Sequence, residues 1–218
     1  MKKAGEAGPF DPSPPSLARP PSLHAQGMGK AGMQIFRYAN RSPMPWKNGQ
    51  GTTTEIAAAP AGAGLEDFDW RLSIARMEAD APFSAFPGIV RTLAVIEGAG
   101  LTLAVAGDTP VTLDQASAPH RFAADQPAEG RLLGGPVSNL NIMTRRASCT
   151  HFMRRLRFQG NLEVSVTGTL LVLCHSGGIE IGEAQLGPLD CALIEETEKA
   201  ALHSSAASSA FLIDIFRD

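Results

Sequence analysis

The chain has 218 residues, a formal net charge of −3 and 44% apolar side chains. That length suits one large all-β domain or two smaller related halves, and the acidic balance argues against a general nucleic-acid binder, which needs surplus Lys and Arg. Cys149, Cys174 and Cys191 are few and widely spaced, so they read as buried reduced thiols rather than a disulfide framework.

Residues 1–32 are rich in Pro, Gly, Ala and Ser with few large apolar side chains. They bury too little surface to offset the entropy of ordering, which predicts a disordered tail followed by a single domain over 33–218. Lys2 and Lys3 do not open a signal peptide, because no apolar run follows them, and no later stretch is long enough to span a bilayer. The expected location is cytoplasmic, with no membrane partner.

From Met33 onward the pattern predicts short strands separated by Gly, Pro, Asp and Asn, over 34–38, 52–59, 69–78, 91–96, 101–105 and 110–113. No convincing helix is found. In the third strand Trp70, Leu72 and Ile74 face one way while Arg71, Ser73 and Ala75 face the other, because side chains alternate across a strand. The stretch from Pro45 to Glu55 differs in kind: Trp46, Lys47 and Asn48 come just before Gly49 and Gly51, which lead into Thr52, Thr53 and Thr54. It reads as a loop feeding a sheet, where an aromatic face, a charge and an amide lie beside backbone N–H groups left open by glycine. The same residues also suit a glycine-rich turn whose Trp46 plugs a barrel end. A phosphate loop is excluded, since the Gly-Lys-Ser/Thr ending is missing and a strand follows.

The second half repeats the first. Residues 92–103 can be laid over 169–181 as strand, glycine turn, strand, with one residue inserted, and both copies run through a proline into a further strand. Two related all-β halves are therefore expected. The chain closes on 210–216, where Phe211, Ile213 and Ile215 alternate with Leu212, Asp214 and Phe216 as in a strand tied into a sheet.

No chemistry is announced by spacing. His24, His120, His151, His175 and His203 stand alone, without His-x-His or His-x-x-x-His, so no metal and no cofactor is expected. No nucleophile elbow surrounds any serine. What stands out is a set of cations beside strand ends in an acidic body: Lys47, Arg71, Arg91 and Arg145. Arginine grips a carboxylate with two parallel hydrogen bonds. Each cation could instead pair with a nearby acid such as Asp69 or Glu97.

Several motifs, in order and spacing, resemble the HutD/Ves family. They are Pro45-Trp46-Lys47-Asn48-Gly49 with Gly51-Thr52-Thr53 and Glu55, the run from Phe68 to Ala75, the run from Pro82 to Gly88 with Arg91, Val95 to Gly98, and Gly134 to Val137 with Asn139 to Arg146. The resemblance covers nearly everything from Met33 to Asp218. It departs at Gln50, where the family commonly has glycine, and over 118–130, where the match is poor. It implies an all-β, cupin-type double barrel (bicupin) in one chain, and a bacterial role in histidine utilisation as a sensor or buffer of a pathway metabolite.

The resulting expectation is a metal-free cupin that binds a small anionic metabolite, a dicarboxylate or acylamino acid from histidine breakdown. Arg71, Arg91 and Lys47 would hold carboxylates, Asn48 and Asn141 would bond amide or carbonyl groups, and Trp46 with Phe83 would wall the site. Glu55, Ser73 and Arg145 complete the candidate set. The alternative is an enzyme, a hydrolase, isomerase or lyase on a similar carboxylate, with Glu55 or Glu97 as general base. A homodimer is compatible with either.

Overall fold

The structure, a computed structural model, describes residues 32–217. The expected disordered tail, residues 1–32, lies outside the described residues apart from Gly32. The first strands are β1 (Met33–Phe36), β2 (Met44–Pro45), β3 (Gly51–Ala59), β4 (Trp70–Met77), β5 (Ala81–Phe83) and β6 (Ile89–Glu97). Next come β7 (Leu101–Val105), β8 (Val111–Leu113), β9 (His120–Ala123), β10 (Ala128–Leu132) and β11 (Val137–Arg145). The second half holds β12 (Cys149–Ser165), β13 (Thr169–Ser176), β14 (Ile179–Ile181), β15 (Ala184–Leu186), β16 (Cys191–Ile194) and β17 (Lys199–Arg217). Among the described residues the one helical element is a 3-10 turn, Tyr38–Asn40, and no helix is long and apolar enough to cross a membrane.

The strands form three sheets. The first runs β2-β3-β4-β11-β6-β9, the second β5-β10-β7-β8, and the third β1-β16-β13-β17-β14-β15 with β12 paired to β17. The order β4-β11-β6-β9 recurs as β12-β17-β13-β16. Likewise β5-β10-β7-β8 recurs as the far end of β12, the near end of β17, β14 and β15. The expected repeat thus recurs in the order of these strands, with β1, β2 and β3 standing outside it. It is disguised because β12 and β17 each do the work of two shorter strands, bending at the register shift between Phe158 and Gly160. Long charged side chains hide β12 further: Arg154, paired with Asp214, and Arg155 and Arg157 interrupt its apolar alternation.

Four apolar clusters follow from this layering among the described residues, the smallest made of Phe68, Ile89, Ala124 and Met143. Leu93, Val95, Leu101 and Leu103 fill the first half, while Leu170, Val172, Leu202 and Leu212 fill the second. Between them Leu72, Ile74, Leu140 and Ile142 of the first sheet pack on Leu171, Leu173, Phe211 and Ile213 of the third. The first sheet is therefore buried on both faces, and its central strands β4, β6 and β11 are buried almost throughout. All three cysteines are buried, and Cys174 and Cys191 are free thiols. Burial pushes the Cys174 thiol up to about 11 and the Cys191 thiol up to about 12, so both stay protonated.

Candidate functional site

The face of the first sheet that looks into the first half carries polar residues in rows set by strand register. One row runs Glu55, Ser73, Asn141, Leu93 and His120 across β3, β4, β11, β6 and β9. The next runs Arg71, Met143, Arg91 and Phe122. Asn139 lies in the third row, between Ala75 and Val95. Period-two alternation along β4, β6 and β11 thus converges Arg71, Ser73, Arg91, Asn139 and Asn141 on one wall, while their chain neighbours fill the core behind it.

The two arginines differ in their partners. Arg71 is 4% exposed, and its Nε donates to Glu55 Oε2 at 2.7 Å, with Nη1 3.4 Å from Ser73 Oγ. Arg91 is 6% exposed and has no carboxylate within ion-pair distance among the described residues. Its Nη2 donates only to Met143 Sδ at 3.4 Å, its Nε has no partner, and its guanidinium lies 5.3 to 5.8 Å from the ring centres of Phe83, Phe86 and Phe122. Burial first, and the nearby charge of Arg71 second, pull Arg91 down from 12.5 to about 10, which still leaves it charged at neutral pH. Of the two buried cations, only Arg71 is bonded to a carboxylate, the half-exposed Glu55. Beside them Asn141 Nδ2 donates to Asn139 Oδ1 at 2.7 Å, leaving Asn139 Nδ2 and Asn141 Oδ1 buried without partners.

Such a wall can accept an anion that also offers a hydrogen-bond acceptor to one amide and a donor to the other. Among the described residues no three His, Cys, Asp or Glu side chains group as metal ligands.

The structure brings together five residues singled out from sequence, Glu55, Arg71, Ser73, Arg91 and Asn141, with Phe83 as part of the aromatic cover. Trp46 half-buries its ring against the same interior core and donates its indole N–H to Thr53 Oγ1 at 2.8 Å. Lys47 and Asn48 do not join the cluster. Both are exposed on the β2–β3 turn, where Asn48 folds its amide onto Gln50 and Gly49 takes φ +70°. The glycine expected to admit a ligand admits protein instead: a Cβ on Gly51 would stand 2.2 Å from Arg76 O and 3.1 Å from the Trp46 ring. Arg145 is engaged elsewhere, donating to the carbonyl oxygens of Phe68 and Glu66. Glu97, considered as a base, is on the opposite face, where its 69% exposed side chain takes hydrogen bonds from Ser138 and Arg76.

Sequence reasoning did not assign Asn139, Phe86, Phe122 or Met143 to the site. Asn139 and Met143 were within reach, since each is two residues from Asn141 on the same strand face. Phe122 was not, because only the β6–β9 pairing brings it beside Arg91.

A family model described as HutD matches residues 38–212. A Pseudomonas putida protein, an uncharacterized 21.2 kDa protein in the hutC 3' region, is 33% identical over 174 residues, 77% of this chain and 89% of that one. Among solved structures, a conserved protein of unknown function from Pseudomonas aeruginosa PAO1 is 29% identical with a TM-score of 0.78, over 84% of this chain and 98% of that one. HutD from Pseudomonas fluorescens SBW25, in a formate condition, is 30% identical with a TM-score of 0.73, over 85% and 99%. A cupin 2 conserved barrel domain protein from Leptotrichia buccalis, 11% identical, shares the fold alone, with a TM-score of 0.54 over 79% and 92%.

Proposed function

The chain belongs to the HutD family and has a cupin-like all-β fold, and from that premise we propose that it binds a small carboxylate metabolite against Arg71 and Arg91 in a sensing role. The observation that carries this reading is Arg91, a buried guanidinium without a carboxylate partner. A charge in that position is costly unless something compensates it. A bound carboxylate does so directly, with Arg71 as second donor and the Asn139–Asn141 pair reading an amide or carbonyl next to it.

The ligand class follows from the surroundings. The aromatic cover of Phe83, Phe86 and Phe122 suits a short carbon chain behind the carboxylate, and the orphaned amide atoms suit an acylamino group. The hutC neighbourhood of the P. putida relative supports a carboxylate from histidine breakdown. The matching strand order of the two halves supports a double barrel in one chain, with this site in the first barrel and an apolar filling in the second.

Thermal unfolding in the presence of urocanate, histidine, glutamate and formylated or formiminated glutamate tests the proposal. A ligand at a hundred times its dissociation constant adds roughly 2.7 kcal/mol to folding, a clear upward shift of the midpoint. The expected result is a selective shift in the wild type that Arg71→Met and Arg91→Met each abolish while keeping native circular dichroism. A shift undiminished in both variants refutes the site.

A further inference from the structure

A second recess, with two arginines and three serines in its lining, is a cleft of about 670 Å³ between the two halves. Its floor is the bend of the third sheet, where Arg155 is opposite Phe211 and Arg157 is opposite Ser209, which in turn is opposite Ser176. Gln115, in the segment between β8 and β9, closes the first-half side.

The donors here are largely unspent. Arg155 lies over the Phe211 ring at 4.8 Å and gives Nη2 to Val95 O at 2.6 Å, yet its Nε is buried without a partner. Ser209 is 7% exposed, and its Oγ is buried with no partner although it lines the cleft. Arg157 is exposed at the mouth and makes no ion pair among the described residues. His175 gives its Nε2–H to Ile96 O at 3.0 Å, which leaves Nδ1 as the ring's other polar atom. No carboxylate lines the cleft. The nearest acid acting on Arg155 is Asp114, and its Oδ1 is already occupied by the Ser117 hydroxyl and the Ala116 and Ser117 amides. The two arginines lie side by side on β12, and burial followed by the charge of Arg157 lowers the pKa of Arg155 while Asp114 offsets part of that.

We propose that this cleft between the halves is a second oxyanion site, built for a phosphate monoester and separate from the Arg71–Arg91 wall. Arg155 and Arg157 on β12, with Ser209 opposite Arg157 on β17, offer two guanidinium groups and a hydroxyl from one sheet face, a donor set and charge that suit three terminal oxygens better than the two of a carboxylate. Phe158 and Ala207, also in the lining, leave an apolar shelf for the organic part of the ester. Arg155 and His175 of this cleft bond the carbonyl oxygens of Val95 and Ile96 on β6, the strand that also carries Arg91.

The test is calorimetric titration with inorganic phosphate and phenyl phosphate at constant ionic strength, with benzoate as the planar counterpart. The expected result is binding of phenyl phosphate at least tenfold tighter than benzoate, weakened at least tenfold by Arg157→Gln and by Ser209→Ala and unchanged by Arg91→Met. Ser209→Ala changes no charge and carries the test by itself should Arg157→Gln fail to fold. Absence of binding, binding retained in the altered cleft, benzoate bound equally well, or loss in Arg91→Met would each overturn the assignment. The proposal does not depend on the carboxylate reading, which is read out through Arg71→Met and Arg91→Met.

Discussion

Replacing Arg91 by Met should make the ligand-free protein more stable while destroying its capacity for carboxylates. The charge is held at a cost: lowering its pKa from 12.5 to about 10 corresponds to about 3 kcal/mol, at about 1.4 kcal/mol for each tenfold change in the protonation equilibrium. Three aromatic rings within 5.8 Å return roughly 1–2 kcal/mol of that through cation–π attraction. Methionine keeps most of the volume, lies well against the same rings and carries no charge to desolvate. The variant should therefore gain about 1–2 kcal/mol, or roughly 2–8 °C in thermal midpoint for a domain of this size. Urea unfolding and scanning calorimetry at pH 7, without added carboxylate, measure it. A fall of several degrees with native circular dichroism would mean that the protein itself neutralises the guanidinium, and the argument for an anion there would collapse.

Three other outcomes follow from the same geometry. Glu55→Gln removes the carboxylate that occupies Arg71 Nε, so small carboxylates should bind several-fold more tightly by calorimetry; weaker binding would make Glu55 an organiser of Arg71 rather than a competitor. His151, bonded at 2.7 Å to both Thr92 Oγ1 and Thr144 Oγ1, is lowered from 6.5 to about 3 by burial and then by the charge of Arg121. The unfolded chain takes up this proton below about pH 6.5 and the folded chain does not, so stability falls as pH drops from 6.5 toward 3. The wild type should lose up to about 1.4 kcal/mol more per pH unit there than His151→Gln, and equal slopes in urea midpoints would contradict this. Gly51→Ala puts a methyl group against Arg76 O and should cost roughly 1–3 kcal/mol in urea unfolding, whereas Gly49→Ala, with nothing near its Cβ, should show only the smaller strain of its positive φ.

The sequence made the site legible wherever strand alternation governs direction. Arg71 and Ser73 face away from Trp70, Leu72 and Ile74 because the chain is extended there, and Asn141 follows the same rule between Leu140 and Ile142. Alternation gives only relative facing, however. Which face becomes the interior of the first half, and which strands lie side by side, depend on pairings between distant residues, such as Arg91 with Phe122. Lys47 and Asn48 show a further limit, since a turn closed by Gly49 and a hydrogen bond from the Asn48 amide to Gln50 decides their direction within three residues. The long strands β12 and β17 were hard to read for yet another reason. One strand that serves two sheets turns over its buried face at the bend, and no single period runs through it.

The sheet shared by the two halves leaves β11 without an idle position from Val137 to Thr144, because each side chain there is buried, facing either the interior of the first half or the seam with the third sheet. A library covering every substitution along this strand would separate into two kinds of failure at alternate positions. Changes at Leu140 and Ile142 would remove the protein from the soluble fraction, whereas many at Asn139 and Asn141 would leave it abundant but indifferent to its ligand. A single inserted residue would exchange the two sets and forfeit both properties together, so drift in this lineage should proceed along β11 by replacement and hardly ever by a change of length.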